Sequence, residues 1–129
     1  MRRIIVVCVI IIALIVVLDL YLQRYVNNTF DMMSSMLNDI SYNLDNNEDS
    51  MKKIENLDET WKNNYTRMAC FLEHDELEKI NTQITVIKAG IEVEDLEFVH
   101  EEVERAIYIV QHIKQKESLK LDNIFWKRR

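Results

Sequence analysis

Residues 2–44 read RRIIVVCVIIIALIVVLDLYLQRYVNNTFDMMSSMLNDISYNL, and two patterns follow one another within them. Ile4 to Leu18 are fifteen apolar residues without a break, and Leu20, Tyr21 and Leu22 continue the run past Asp19. From Val26 the pattern changes to a stripe: Val26, Phe30, Met33, Leu37, Ile40 and Leu44 step by four, three, four, three and four residues. The first pattern fits lipid on all sides. The second fits a helix with one apolar face against a protein core.

Ile4–Leu22 as a helix is about 28 Å long, close to the hydrocarbon thickness of a bilayer. Thirteen Ile, Val and Leu precede Asp19; at about −0.3 to −0.6 kcal/mol each they favour insertion by roughly 4–8 kcal/mol. A mid-bilayer Asp costs about 2.5–3.5 kcal/mol, and Asp19 sits at the edge, where the cost is smaller. Arg2 and Arg3 place the N-terminus in the cytoplasm by the positive-inside rule. A cleaved signal peptide needs small residues after the apolar run, and Asp19–Arg24 (DLYLQR) has none. The expectation is a stub at residues 1–3, an uncleaved anchor at 4–22 and an extracytoplasmic domain at 23–129 of a single-pass membrane protein.

The exported part reads as helices. One Gly and no Pro leave little material for hairpin turns. After the polar break Asp45–Ser50, a second stripe runs through Met51, Ile54, Leu57, Trp61, Tyr65, Met68 and Leu72. A third runs through Leu77, Ile80, Ile84, Ile87 and Ile91, and a fourth through Leu96, Val99, Val103, Ala106, Val110 and Ile113. The spacing predicts helices over about 23–45, 50–72, 75–90 and 94–116, then a short tail. Gly90, the single glycine, is expected as the left-handed terminus of the third helix. Short connections make neighbours antiparallel. The expected fold is all-α: a transmembrane helix continuing into an up-down-up-down bundle. Its first stripe also suits a homo-oligomer seam.

Composition excludes several functions. A single glycine cannot form a phosphate-cradling loop, and two cysteines, Cys8 and Cys70, cannot form a four-Cys zinc site. A net charge of −6 is unsuited to nucleic acid. Cys70 is expected as a buried thiol. Glu73-His74-Asp75-Glu76 is the densest group of potential ligands, but Asp75 with Glu78 reads as a helix cap. Glu97-Phe98-Val99-His100 matches one Glu-x-x-His element of a di-iron bundle, yet no second copy is present. Val93–Glu104 is an acidic block that suits weak binding of cations or a basic partner, but an exposed helix face is its usual explanation. No catalytic or metal constellation and no cofactor site is expected, so the chain reads as a non-enzyme. The up-down topology returns the C-terminus to the membrane. There Phe125, Trp126, Lys127, Arg128 and Arg129 either touch the bilayer surface, aromatics at the interface and cations on anionic headgroups, or Phe125 and Trp126 close the bundle core.

Trp61, Phe71-Leu72, the turn His74-Asp75-Glu76-Leu77 and Ile80 form one block, and His112-Ile113, Glu117, Leu119, Leu121 and Asn123-Ile124 a second. Together they resemble a family of short, membrane-anchored proteins of unknown function from clostridia and related spore-forming Firmicutes, over roughly residues 45–125 and, in character, the anchor. The resemblance implies a bacterial cell membrane, one N-terminal anchor and a helical exported domain, and supplies no catalytic residue. It also implies genes beside small multi-pass membrane proteins, which suits an accessory subunit. The ending Phe125–Arg129 departs from the family pattern. The function expected is an interaction module for a membrane or envelope protein, with Trp61, His74, Asp75 and Glu76 as the contact region. The alternative is a sensory or small-ligand-binding bundle.

Overall fold

The computed structural model describes residues 1–44 and 47–126. Four helices follow in order: α1 (Arg2–Tyr42), α2 (Asn47–Met68), α3 (His74–Glu92) and α4 (Leu96–Trp126), with no strand among the described residues. The fold is all-α. Each helix packs on its neighbours in the chain, and α4 closes the ring against α1, while among the described residues the diagonal pairs do not approach. Antiparallel neighbours with short connections give this square arrangement directly.

The core is made by the stripes. Val26, Phe30, Met33, Leu37 and Ile40 of α1, Ile54, Leu57, Trp61 and Met68 of α2, Leu77 through Ile91 at helical spacing in α3, and Val99, Val103, Ala106, Val110 and Ile113 of α4 are all buried. Four stripe positions escape full burial: Leu96 is exposed, and Leu44, Met51 and Tyr65 are half-buried. Burying a Leu, Ile or Phe contributes about 1.5–3 kcal/mol each, so twenty such side chains dominate the stability of the bundle.

α1 is a single helix of 41 residues, about 60 Å long, with one end unlike the other. Every residue from Met1 to Tyr21 is exposed, whereas Val26 onward forms a wall of the bundle. It is the one described helix long and apolar enough to cross a membrane.

Two helix ends depart most from expectation. α4 does not stop near Lys116 but continues to Trp126, so the tail is helical. No Gly or Pro lies between Lys116 and Trp126 to stop it. α2 ends at Met68 instead of Leu72, and a turn over residues 69–73 leads into α3.

Candidate functional site

At the end of the bundle nearest the apolar half of α1, the α2–α3 turn carries most of the residues singled out above. Trp61 is buried, 1% exposed; its Nε1–H donates to Asn81 Oδ1 and its ring meets Tyr65 edge-on at 5.8 Å. It joins α2 to α3. Close by, Tyr25 on α1 donates to Asn64 Oδ1 on α2, and the Arg67 guanidinium stands 5.9 Å over the Tyr25 ring. These polar contacts fix α1 to α2 where the bundle begins.

The cap of α3 belongs to Glu73 and Glu76, not to Asp75 and Glu78. Glu73 is the N-cap residue, in extended backbone, and its N–H donates to Glu76 Oε2 at 3.3 Å. That contact turns the Glu76 side chain inward, where it is 4% exposed. Its other oxygen lies 3.0 Å from Lys116 Nζ on α4, and the same ammonium is 3.6 Å from Glu73 Oε2. The hydrogen bond and charge of Glu76, then those of Glu73, hold the Lys116 amine above its ordinary value. One lysine thus ties the start of α3 to α4 and compensates a buried carboxylate.

The four residues expected to form one contact region therefore part company. Trp61 and Glu76 are structural and inside. His74 and Asp75 are exposed on the first turn of α3, with His74 Nε2 3.9 Å from Glu78. Cys70 is exposed, contrary to the expected buried thiol; it lies in the turn after α2, and at helical spacing it falls opposite the stripe of Trp61, Met68 and Leu72. Phe125 and Trp126 are on the last turn of α4; their side chains, and Lys127, Arg128 and Arg129, lie outside the described residues.

The opposite end holds the α1–α2 and α3–α4 connections. Ser50 Oγ donates to Asn43 O at 2.8 Å, joining α2 to the end of α1. Ser41 Oγ lies 3.2 Å from His100 Nδ1, joining α1 to α4. Gly90 is not the left-handed terminus expected of it. It lies inside α3, buried, at a point where an added Cβ would stand 2.8 Å from Val99 Cγ2 and 2.9 Å from the Phe98 ring. The glycine lets α4 approach α3. The left-handed position falls instead on Glu94, φ 58°, and Asp95 Oδ1 then accepts the Phe98 N–H at 3.2 Å as the cap of α4.

The acidic block is not uniformly solvated. Glu102 is buried and accepts from Gln83 Nε2 at 2.6 Å, while the same amide donates to the Glu102 carbonyl at 2.9 Å. Arg105 Nη1 is 3.4 Å from its second oxygen. Nothing in the sequence separates Glu102 from its exposed neighbours except its position three residues after Val99, on the core side of α4. His100 is exposed and pairs with Glu104. Among the described residues, no three His, Cys, Asp or Glu side chains come together as a metal site. The cavity between Met33, Leu57, Ile80 and Val110 has about 10 Å³, space for about one water molecule.

Neither the curated proteins nor the solved structures contain a match to the chain. A family described as a domain of unknown function, DUF4363, matches residues 20–124. The match begins at the end of the apolar run and covers the bundle almost to the end of α4. The chain belongs to the DUF4363 family of domains of unknown function.

Proposed function

We propose that this chain is a bacterial, single-pass membrane protein whose extracytoplasmic bundle serves as a non-enzymatic accessory module for another membrane or envelope protein. One observation supports this most directly. The helix that presents fifteen exposed apolar residues in succession also forms a wall of the folded bundle. Water is untenable around that run, and lipid is its natural solvent. Arg2 and Arg3 argue for a cytoplasmic N-terminus, which sends the bundle outward.

Cys70 supplies the test of orientation, since it is exposed on the bundle while Cys8 lies in the apolar run. A membrane-impermeant maleimide applied to intact cells expressing the full chain with Cys8→Ser is expected to label Cys70. Labelling that requires lysis would reverse the orientation. Recovery of the chain in the soluble fraction would remove the anchor. The accessory role is tested by cross-linking in native membranes and purification through the bundle. A stoichiometric membrane-protein partner is expected, and return of this chain alone counts against the role. With room for about one water at its centre, the bundle gives no support to binding of a metabolite between the helices.

A further inference from the structure

We propose that the α3–α4 end of the bundle docks a basic protein surface held about 30 Å above the bilayer. The height follows from the twenty residues of α1 between Leu22 and Tyr42 at 1.5 Å each, and the proposal rests on the membrane-anchored module reading.

Two observations coincide at this end. Val93 is 74% exposed, and Leu96 and Phe98 are each 38% exposed, three apolar side chains within six residues; Tyr42, at the adjoining end of α1, is exposed as well. Single exposed apolar residues are ordinary on any protein, but a group around one turn marks a contact surface. Around them Glu92, Glu94, Asp95, Glu97 and Glu101 are exposed, and no Lys or Arg occurs from Glu92 through Glu104.

Local structure accounts for only part of this acidity. Asp95 caps α4, and Glu97 lies in its first turn, where the helix dipole favours a carboxylate. Glu92 ends α3, where the dipole opposes it. Glu94 occupies a left-handed backbone position that Gly or Asn would fill at less cost. Residues that break local rules without a structural return mark functional surfaces. An apolar patch rimmed by carboxylates is complementary to an apolar patch rimmed by Lys and Arg.

A second copy does not satisfy that complement. Two copies anchored in one membrane present the same net acidic end at the same height: Lys52, Lys53 and Lys88 also lie towards it, Lys53 and Lys88 paired with Asp49 and Asp58, while Arg24, Arg67, Lys114 and Lys116 lie towards the other end. Anionic headgroups repel the tip too. The occupant is a different protein, reached above the bilayer.

Photo-cross-linking from the full chain in native membranes tests this, with p-benzoylphenylalanine placed at Val93, at Tyr108 on the exposed side of α4, or at His74 on the membrane-proximal turn. The expected result is an adduct from position 93 to a different protein, mapped to a surface bearing Lys or Arg. Its yield should fall roughly tenfold in salt of about 0.5 M, and equally with Glu92→Lys/Glu97→Lys. Thermal melting checks that the variant folds, and Glu92→Gln/Glu97→Gln replaces it if it does not. Position 93 giving no adduct, only lipid, only a second copy, or an adduct indifferent to salt and charge would overturn the proposal. Adducts from Tyr108 or His74 without one from Val93 would overturn the tip and leave the module reading intact. No protein adduct from any position would overturn both.

Discussion

Gly90→Ala measures how closely α3 and α4 approach. Taken alone, Ala in a helix interior is about 1 kcal/mol better than Gly. In this helix the new Cβ meets Val99 Cγ2 at 2.8 Å and the Phe98 ring at 2.9 and 3.2 Å, against an ordinary carbon separation of about 3.5–4 Å. Phe98 is partly exposed and can swing outward. Val99 cannot: it is fully buried, and its branched Cβ restricts it to few rotamers. Either α4 shifts or Val99 leaves its rotamer, at a cost of about 1–3 kcal/mol. The expected net effect is a loss of about 0–2 kcal/mol. Removing the obstructing methyl with Val99→Ala should turn the same Gly90→Ala change into a gain of up to about 1 kcal/mol. The two positions should therefore couple by about 1–3 kcal/mol in a double-mutant cycle. Urea unfolding of the full chain in detergent, followed by Trp61 emission in a Trp126→Phe background, gives all four stabilities. Additivity within about 0.5 kcal/mol, or stabilisation by Gly90→Ala alone, would refute the close approach.

Gln83 and Glu102 should respond unequally. Glu102→Ala leaves the Gln83 amide its carbonyl acceptor and is expected to cost about 1 kcal/mol. Gln83→Leu strips the donor from a buried carboxylate and a buried carbonyl together and is expected to cost about 2–3 kcal/mol; equal losses in thermal melts would contradict the assignment. The Lys116 amine, raised by Glu76 and then Glu73, contributes stability that is complete below its unfolded value of 10.5 and is lost as pH rises through the higher folded value. Melting temperatures taken on either side of pH 10.5 should thus fall more steeply for the natural chain than for Lys116→Met; parallel curves would show that the pair stabilises nothing.

The helices were readable because a stripe at three-four spacing depends only on the chain that carries it. Nearly every stripe residue from Val26 to Ile113 is buried as its spacing requires. What the stripes leave open is which neighbour approaches, and how closely. Gly90 is informative only once Val99 and Phe98 stand opposite it, and a glycine near a helix end otherwise reads as a terminus. The α3 cap was misplaced because Asp is a far commoner N-cap than Glu; Glu73 serves because Lys116, forty-three residues on, neutralises the pair it makes with Glu76. Cys70 is exposed because thiols are commonly buried only where a stripe carries them, and position 70 falls opposite Trp61, Met68 and Leu72 at helical spacing and lies in the turn after α2. The acidity of the proposed docking end is legible in the block Val93–Glu104, but its shape is not. Glu94 and Val93 are unremarkable letters until the backbone places one in a left-handed position and the other in solvent.

α1 has no hinge. Helices bend sharply at proline, at glycine or where the hydrogen-bond ladder is interrupted, and neither residue occurs between Arg2 and Tyr42. A domain on a flexible linker explores a hemisphere around its point of attachment. Anchored as proposed, this one is mounted on a mast whose lower half lies in the bilayer. Its height above the bilayer is set by residue count, and its bearing by how the anchor leans. A lean of about 20°, ordinary for a single span, carries the far end of a 30 Å arm sideways by about 10 Å and barely lowers it. A neighbour that grips the anchor within the membrane would therefore steer the tip, and a partner that seizes the tip would tilt the anchor in return.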